Sequence, residues 1–443
     1  MTANVIVRML EERGFHAFFV GGYVRDYLLG VVANDVDIAT NARPEEVEAV
    51  FCLNHKVKLV GKSFGVVVVD GVEVATFRTD AYGGLNHKDC EVTYADTIEE
   101  DLSRRDFTVN AMAMDMHGEL IDPFNGVWDL ESRTIRFVGD ADFRIFEDPN
   151  RMLRACRFVA QLDGVLVTSA KEAIFRNRKL IKSVAPERVR HEVLKAMKAP
   201  NASKFFNALR DCGLLFSVFP SLDGCWDHEG GNYHPETVFT HSMLTGDRIS
   251  THCPLTKLAG YLHDVGKPET FDLDGKFLEH EKVGAHLVVD EMARLKFSNE
   301  EIATVSGLVR MHMRTATVLT DKGVRRLLRK LADQGVSYRD YLRLFLADRN
   351  SNTGLDPMST QEVRCMVNTV EDQMSVEMGV TKVTDLKVNG HDVMTLTGFE
   401  PGPRVGQVLG DLLEMVLVDP ELNTRERLVG IVRDSLYENV RNA

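Results

Sequence analysis

The chain has 443 residues, 44% hydrophobic and 27% charged, a balance that fits a folded, water-facing protein and excludes a disordered or fibrous one. Its length leaves room for roughly two to four domains, and no stretch approaches the roughly 20 apolar residues that span a bilayer. The net charge of −13 argues, taken alone, against a general nucleic-acid binder. Seven cysteines form no CxxC pair, an odd and scattered set expected of reduced thiols in a cytoplasmic compartment.

The N-terminal segment MTANVIVRMLEERGF carries charge within ten residues and predicts an amphipathic helix rather than a signal peptide. Next comes FFVGGYVRDYLLGVVANDVDIAT (18–40), where an apolar run ends in Gly21-Gly22 and two acids follow at 35 and 37. Residues i and i+2 of a strand share a face, so Asp35 and Asp37 are expected to aim both carboxylates at one spot. Like charges so placed are costly unless a cation lies between them. Mg2+, a hard ion usually shared with substrate phosphates, suits that position. Backbone N–H groups of Gly21 and Gly22 at a helix start, with Arg25 nearby, are expected to meet a triphosphate. Other phosphate motifs are excluded: Lys56 replaces the first glycine of a P-loop ending at Gly61-Lys62-Ser63, and Val24 breaks a GxGxxG.

KSFGVVVVDGVEVATFR (62–78) predicts a hairpin about Asp70-Gly71. Glu73, alone among valines on its second strand, is the candidate third carboxylate of a two-metal nucleotidyl-transfer site. TDAYGGLNHKDCEVTYADTIEEDL (79–102) is rich in Gly and polar residues and reads as a long mobile loop. ELIDPFNGVWDLESRTIRFV (119–138) reads as strand, turn and strand. From about residue 146 the spacing turns helical, as in RMLRACRFVAQL and RHEVLKAMKA. On that reading Asp148 and Arg151, at i and i+3, share one helical face; Arg154 and Arg157 continue it, suited to phosphate or base stacking. Residues 171–198 hold nine Lys or Arg against three Glu, and 321–331 form a second basic stripe; both are candidate RNA-phosphate surfaces. A Gly/His/Asp-rich break at 221–237 marks a domain junction.

GGYVRDYLLG…NDVDIAT, EEDLSRRDFTVNAMAMD (99–115) and EDPNRMLRACRF (147–158) together resemble the class II tRNA nucleotidyltransferases, the CCA-adding enzymes of the polymerase β-like superfamily and relatives of bacterial poly(A) polymerase. LKVNGHDVM (386–394) and the segment 401–428 resemble the tail of the bacterial enzymes. The resemblance implies an α+β fold: a polymerase β-like head (1–140), a helical base-recognition and RNA-binding neck (141–225), an HD-containing helical body (226–360) and a helical tRNA-binding tail (361–443). It implies protein-templated addition of CTP and ATP to the tRNA 3′ end, with no membrane partner. Asp35 and Asp37 match the residues that bind catalytic Mg2+. Arg104, Arg105, Asp106 and Asn110 match the motif that recognises ribose and triphosphate, and Asp148 and Arg151 match the pair that reads the Watson–Crick edge. In this family a mobile loop before Arg104 is linked to switching from C to A addition.

FTHSMLTGD (239–247) and LAGYLHDVGKPE (259–269) resemble the HD phosphohydrolases. That likeness implies a primary metal site of His241, His263, Asp264 and Asp348, with His280 and His312 where two-metal members add ligands. Imidazole with carboxylate suits a Mn, Ni or Fe ion, Mg2+ being the alternative, and a 2′,3′-cyclic phosphodiesterase or phosphatase activity on tRNA ends follows. His286 is expected to be structural. Competing readings are an A-adding, CC-adding or poly(A) polymerase variant, and a metal phosphohydrolase whose N-terminal part only grips RNA.

Overall fold

β-Branched and aromatic runs alternate with short helical stretches in the first half of the chain, and long amphipathic helices fill the second. In the computed structural model these become two compact units, residues 1–223 and 224–443. The structure describes residues 2–32, 35–59, 65–82, 90–229, 235–271, 277–314, 321–375 and 382–441. Among them no helix is long and apolar enough to cross a membrane, and Cys52, Cys156, Cys212, Cys225, Cys253 and Cys365 are free thiols.

The first unit opens with α1 (Ala3–Glu11), β1 (Ala17–Val20), α2 (Gly22–Leu28), β2 (Asp37–Thr40) and α3 (Pro44–Phe51). α1 buries Ile6, Val7 and Leu10 on one stripe, as its spacing requires. β3 (Val57–Leu59), β4 (Val66–Val69) and β5 (Val72–Thr76) follow. β4 and β5 pair antiparallel about Asp70 and Gly71, both with positive φ, the backbone of a tight hairpin whose twist matches its strands. The start of the expected hairpin, 62–64, lies outside the described residues. β8 (Ala113–Met114) and β9 (Leu120–Ile121) complete a seven-stranded mixed sheet of order β3-β4-β5-β2-β1-β8-β9. Val20, Ala39, Phe77, Leu102, Ala113 and Val138 form a dry cluster under it.

Two expectations fail here. The segment 79–102 is not one loop. β6 (Arg78–Tyr82) and β7 (Cys90–Tyr94) pair as an antiparallel ribbon, and α4 (Ile98–Ser103) follows, opened by Thr97 with Glu100 as a capping box. The tip of the expected mobile loop, 83–89, lies outside the described residues. In 119–138 the two expected strands form, but no simple turn joins them. Helix α5 (Gly126–Glu131) lies between them, because Asp122 accepts the N–H groups of Gly126 and Val127 and so starts a helix where a turn was expected. β9 pairs with β8, whereas β10 (Thr134–Ile135) pairs parallel with β11 (Val165–Leu166).

The rest of this unit is helical: α6 (Ala141–Glu147), α7 (Asn150–Gln161), α8 (Thr168–Asn177), α9 (Pro186–Ala196), α10 (Ser203–Asp211) and the single-turn α11 (Leu215–Val218) and α12 (Pro220–Asp223). α7 packs against α9 and α10.

The second unit contains α13 (Val238–Asp247), α14 (Pro254–Leu262), α15 (Lys267–Thr270), α16 (His280–Arg294), α17 (Asn299–Met311), α18 (Asp321–Asp333), α19 (Tyr338–Ser351), α20 (Thr360–Ser375), α21 (Gly390–Thr397), α22 (Pro403–Val418) and α23 (Arg425–Arg441). α14 packs against α13, α17 and α19, and α16 against α17. α21, α22 and α23 share a separate apolar cluster that includes Val393, Leu412, Leu413 and Leu428.

Candidate active site and candidate metal centre

Strand register explains why two glycines precede two acids. β1 and β2 run antiparallel with Val20 opposite Asp37, so the bend at Gly21 lies beside the first residue of β2. Gly21 has φ 68°, and a Cβ there would sit 2.8 Å from Arg105 Nη1 and 3.9 Å from Asp37 Oδ2. Glycine thus leaves the slot through which the Arg105 guanidinium reaches the acids. The expected phosphate role of its amide is not met, since the Gly21 N–H is donated to the Met112 carbonyl at 3.3 Å.

Asp35 does not belong to the strand, which begins at Asp37; it lies two residues earlier and is exposed. Both acids nevertheless line one cavity of about 650 Å3, a size usual for a small-molecule site. Burial lifts the Asp37 carboxyl above its ordinary value; Arg105 opposes that rise and the charge of Asp35 adds to it. Two carboxylates at one cavity, with Asp35 adding to the rise at Asp37, fit a hard divalent cation such as Mg2+. Glu73 faces Asp37 across the parallel β2–β5 pair, exposed and on the same side of the sheet, but is not among the cavity-lining residues.

The cavity also gathers Gly21, Gly22, Arg25, Arg104, Arg105, Asp106, Asn110, Asp148, Arg151, Arg154 and Arg157. Nine of its lining residues are Lys or Arg against five Asp, so a chain of net charge −13 carries a basic pocket. Alternating charges tie this wall together. Arg25 donates to Asp26 at 2.9 and 2.7 Å and to Asn110 Oδ1 at 2.6 Å. Asn110 in turn donates to Asp106 at 3.2 Å, and Asp106 accepts from Arg154 Nε at 2.6 Å. Asp101, a buried residue of α4, accepts from Arg104 at 2.7 Å and Arg105 at 3.1 Å. Burial works against charge on both Asp101 and Asp106. Arg105 and Arg104 outweigh it at the first, and Arg154 and Arg151 at the second, so both carboxyls titrate below their ordinary value.

Asp148 and Arg151 do not share a helix. α6 ends at Glu147, Asp148 is extended, and α7 starts at Asn150, because Pro149 disfavours helix at the residue before it. They reach the same cavity from either side of that break. Arg151 donates to Glu147 and to the carbonyls of Arg144 (3.0 Å) and Arg104 (3.3 Å). Asp148 receives both arms of the Arg188 guanidinium, at 3.0 and 2.7 Å. Arg157 donates to Glu192 at 2.6 Å. Reading the sequence missed Asp26, Asp101, Glu147, Arg188 and Glu192. Their signals were present for Asp101 (i−3 to Arg104) and Glu147 (i−4 to Arg151), but Arg188 and Glu192 meet α7 only through tertiary packing.

In the second unit His241, His263, Asp264, His280 and His312 are each no more than 3% exposed, with Asp348 beside them. His263 Nδ1 faces the Gly260 carbonyl at 2.9 Å, His280 Nδ1 that of Phe277 at 2.8 Å, and His312 Nδ1 that of Val309 at 2.6 Å. A carbonyl only accepts, so each neutral ring carries its proton on Nδ1 and turns a bare Nε2 inward. The inward atoms crowd. His280 Nε2 and His312 Nε2 are 3.2 Å apart, and each lies within 3.4 Å of Asp264 Oδ1. His263 Nε2 has no well-aligned hydrogen bond; its nearest carboxylate oxygens are at 3.3 Å (Asp264) and 3.6 Å (Asp348). His241 Nε2 is 2.8 Å from Asp348. Facing lone pairs in a dry interior need a cation. Two overlapping sets, His241/His263/Asp264 and Asp264/His280/His312, place ligand atoms within 4.8 Å of one another. Burial disfavours charge on His263, yet Asp264 and Asp348 together push it up to about 10, another sign of a site built for positive charge.

Three residues outside the expected set support this cluster. Glu236 lies 3.1 Å from His241 Nδ1 and accepts from Thr353. Lys267 Nζ is 2.6 Å from Asp264 Oδ2. Gly266 lets α16 close in, since a Cβ there would lie 2.2 Å from the His280 carbonyl oxygen. His286, expected to be structural, is exposed on α16.

A mixed-sheet head with paired acids, an arginine-lined cavity and a helical unit bearing a His/Asp centre together define a nucleotidyltransferase of the polymerase-head class. The family profile "Poly A polymerase head domain" matches residues 17–136, "Probable RNA and SrmB- binding site of polymerase A" matches 168–225, and "HD domain" matches 232–340. The CCA-adding enzyme of Latilactobacillus sakei is 32% identical over 434 residues, 96% of this chain and 95% of that enzyme. The CCA-adding enzyme of Geobacillus thermodenitrificans is 46% identical over 213 residues, 47% of this chain and 52% of that enzyme, so this closer match spans about half of that relative's length. A crystal structure of the Bacillus stearothermophilus CCA-adding enzyme in complex with CTP is 28% identical with a TM-score of 0.69, over 100% of this chain and 98% of that one. The chain belongs to the CCA-adding enzyme family.

Proposed function

We propose that this protein builds or repairs the 3′-terminal CCA of tRNA from CTP and ATP, by metal-dependent and protein-templated nucleotidyl transfer in the cytoplasm. The observation that carries the reading is one cavity that combines paired acids, anchored arginines and a carboxylate–guanidinium pair across the α6–α7 break. Mg2+ held by Asp35 and Asp37 would neutralise triphosphate charge and lower the pKa of the RNA 3′ hydroxyl. Arg25, Arg104, Arg105 and Asn110 bind and orient the triphosphate and ribose. Asp148 accepts from the exocyclic amino group that cytosine and adenine share, and Arg151 donates to the neighbouring ring nitrogen or carbonyl. The Lys- and Arg-rich stretch 171–198, which contributes Arg188, Lys195 and Lys198 to the cavity wall, carries the RNA backbone. Glu73 belongs to this proposal as a third carboxylate beside Asp37.

The second unit is proposed to be a metal phosphohydrolase that trims 2′,3′-cyclic or 3′-phosphate ends before repair. His241, His263, Asp264 and Asp348 hold one Mn, Ni, Fe or Mg ion, and His280 and His312 complete a second position. A bound metal there would lower the pKa of a water for attack on phosphorus.

The test is incorporation by the purified protein with Mg2+ and a tRNA that ends before CCA, with CTP and ATP offered singly and together. Two C from CTP alone, then one A, support the full reading. ATP alone, CTP alone or a long A tail would assign an A-adding, CC-adding or poly(A)-forming enzyme. No incorporation at all would leave the RNA-gripping phosphohydrolase.

A further inference from the structure

We propose that Arg188 is a positioning residue for base selection: its guanidinium fixes the plane of the Asp148 carboxylate against which the incoming base is read. The inference rests on the base-reading role of Asp148 proposed above. Asp148 sits at an extended break, φ −144° and ψ 99°, between the end of α6 and the start of α7. Neither helix dictates where its side chain points. Fixed contacts do. Arg188 grips both oxygens, at 3.0 and 2.7 Å, and the Asn150 N–H is donated to Oδ1 at 3.0 Å. A planar fork on a carboxylate sets orientation as well as charge, which a lysine cannot reproduce.

The grip is anchored from behind. One turn along α9, Glu192 accepts from Arg157 at 2.6 Å and from Asn150 at 3.4 Å, both on α7. Helix α9 is thereby braced against the same helix that carries Arg151, so Asp148 and Arg151 are held in one frame. Arg188 itself lines the nucleotide cavity, and its side chain is about one third exposed, so it stands beside the bound base rather than in the core.

A carboxylate accepts hydrogen bonds and repels acceptors. Cytosine and adenine place an amino group where uracil and guanine place a carbonyl. That discrimination depends on where the oxygens point, and displacement on the scale of 1 Å costs about 100-fold in an oriented site.

The experiment compares wild type, Arg188→Met and Arg188→Lys in single-nucleotide addition to tRNA lacking CCA, with CTP, UTP, ATP and GTP measured separately, together with thermal melting. Arg188→Met is expected to lower kcat/KM for CTP and ATP by about 10- to 100-fold. UTP and GTP should be unaffected, so both selectivity ratios narrow, while the melting temperature holds. Arg188→Lys should fail to restore the ratios. In an Asp148→Asn background the Arg188→Met change should add nothing. Full rescue by lysine, equal losses with all four nucleotides, or additive effects with Asp148→Asn would each overturn the proposal and make Arg188 an RNA-phosphate contact. Unchanged selectivity in Asp148→Asn alone would instead overturn the base-reading role itself.

Discussion

The two candidate centres solve opposite physical problems. The cavity of the first unit is open and strongly charged, and most of its groups already have protein partners: Asp106 with Arg154, Asp101 with Arg104 and Arg105, Asp148 with Arg188. Such a wall is preorganised, and a ligand adds charge-assisted contacts to it without first having to order the side chains. The centre of the second unit is dry and histidine-rich, with its outer nitrogens fixed by carbonyls and its inner ones crowded together. There the protein supplies too little positive charge rather than too much structure. One site is poised for a polyanion together with its metal, the other for a metal cation alone.

Separating the two is the sharpest test of that contrast. Asp35→Ala with Asp37→Ala is expected to lower nucleotide incorporation by at least about 1,000-fold, the scale of a lost metal clamp. Metal content of the second unit and cyclic-phosphate hydrolysis should be unchanged. The reciprocal change, His263→Ala, should abolish hydrolysis and reduce bound metal measured by elemental analysis, with incorporation kept within about twofold, because that site shares no residue with the nucleotide cavity. Loss of both activities in either variant would break the comparison.

Smaller effects sharpen it. Glu236→Gln keeps the size of the side chain but weakens the anchor on His241. Metal affinity at the second unit should fall about 10- to 100-fold by competition with a chelator, with the fold retained. Gly21→Ala places a methyl 2.8 Å from Arg105 at a positive φ. It should reduce incorporation and cost about 1 kcal/mol or more of stability in denaturant unfolding of the first unit.

The smallest expected effect is on pH. The Asp101 and Asp106 carboxyls titrate lower in the folded chain than the unfolded value of about 3.9. Their contribution is therefore complete above that value and is lost as pH falls through the lower folded values. Melting of the first unit should drop below about pH 4, and Asp106→Asn should flatten that drop.

Much of both sites was legible from order and spacing. Gly21-Gly22 before Asp35 and Asp37, the run Arg104-Arg105-Asp106, and His263-Asp264 all place their chemistry within a few residues. The hairpin about Asp70-Gly71 follows from turn chemistry alone. Errors arose where a local pattern met a tertiary or capping alternative. The stretch 119–138 has strand-like residues, yet Asp122 caps a helix there. Asp148 and Arg151 have helical spacing, yet Pro149 ends one helix and another begins. Gly21 looked like a phosphate amide, yet its N–H is donated to the Met112 carbonyl, one residue before β8.

The sequence by itself determined which side chains are available, and near-neighbour spacing fixed their local company: residues i and i+3 or i+4 meet on a helix whatever lies around it. Only the tertiary structure decided what those groups can do. Val20 opposite Asp37 brings the diglycine bend to the acids, α9 brings Arg188 to Asp148, and α16 brings His280 to Asp264 across a glycine. Those encounters join residues from 16 to 40 positions apart. They are set by strand register and helix packing, which no short stretch of chain encodes alone.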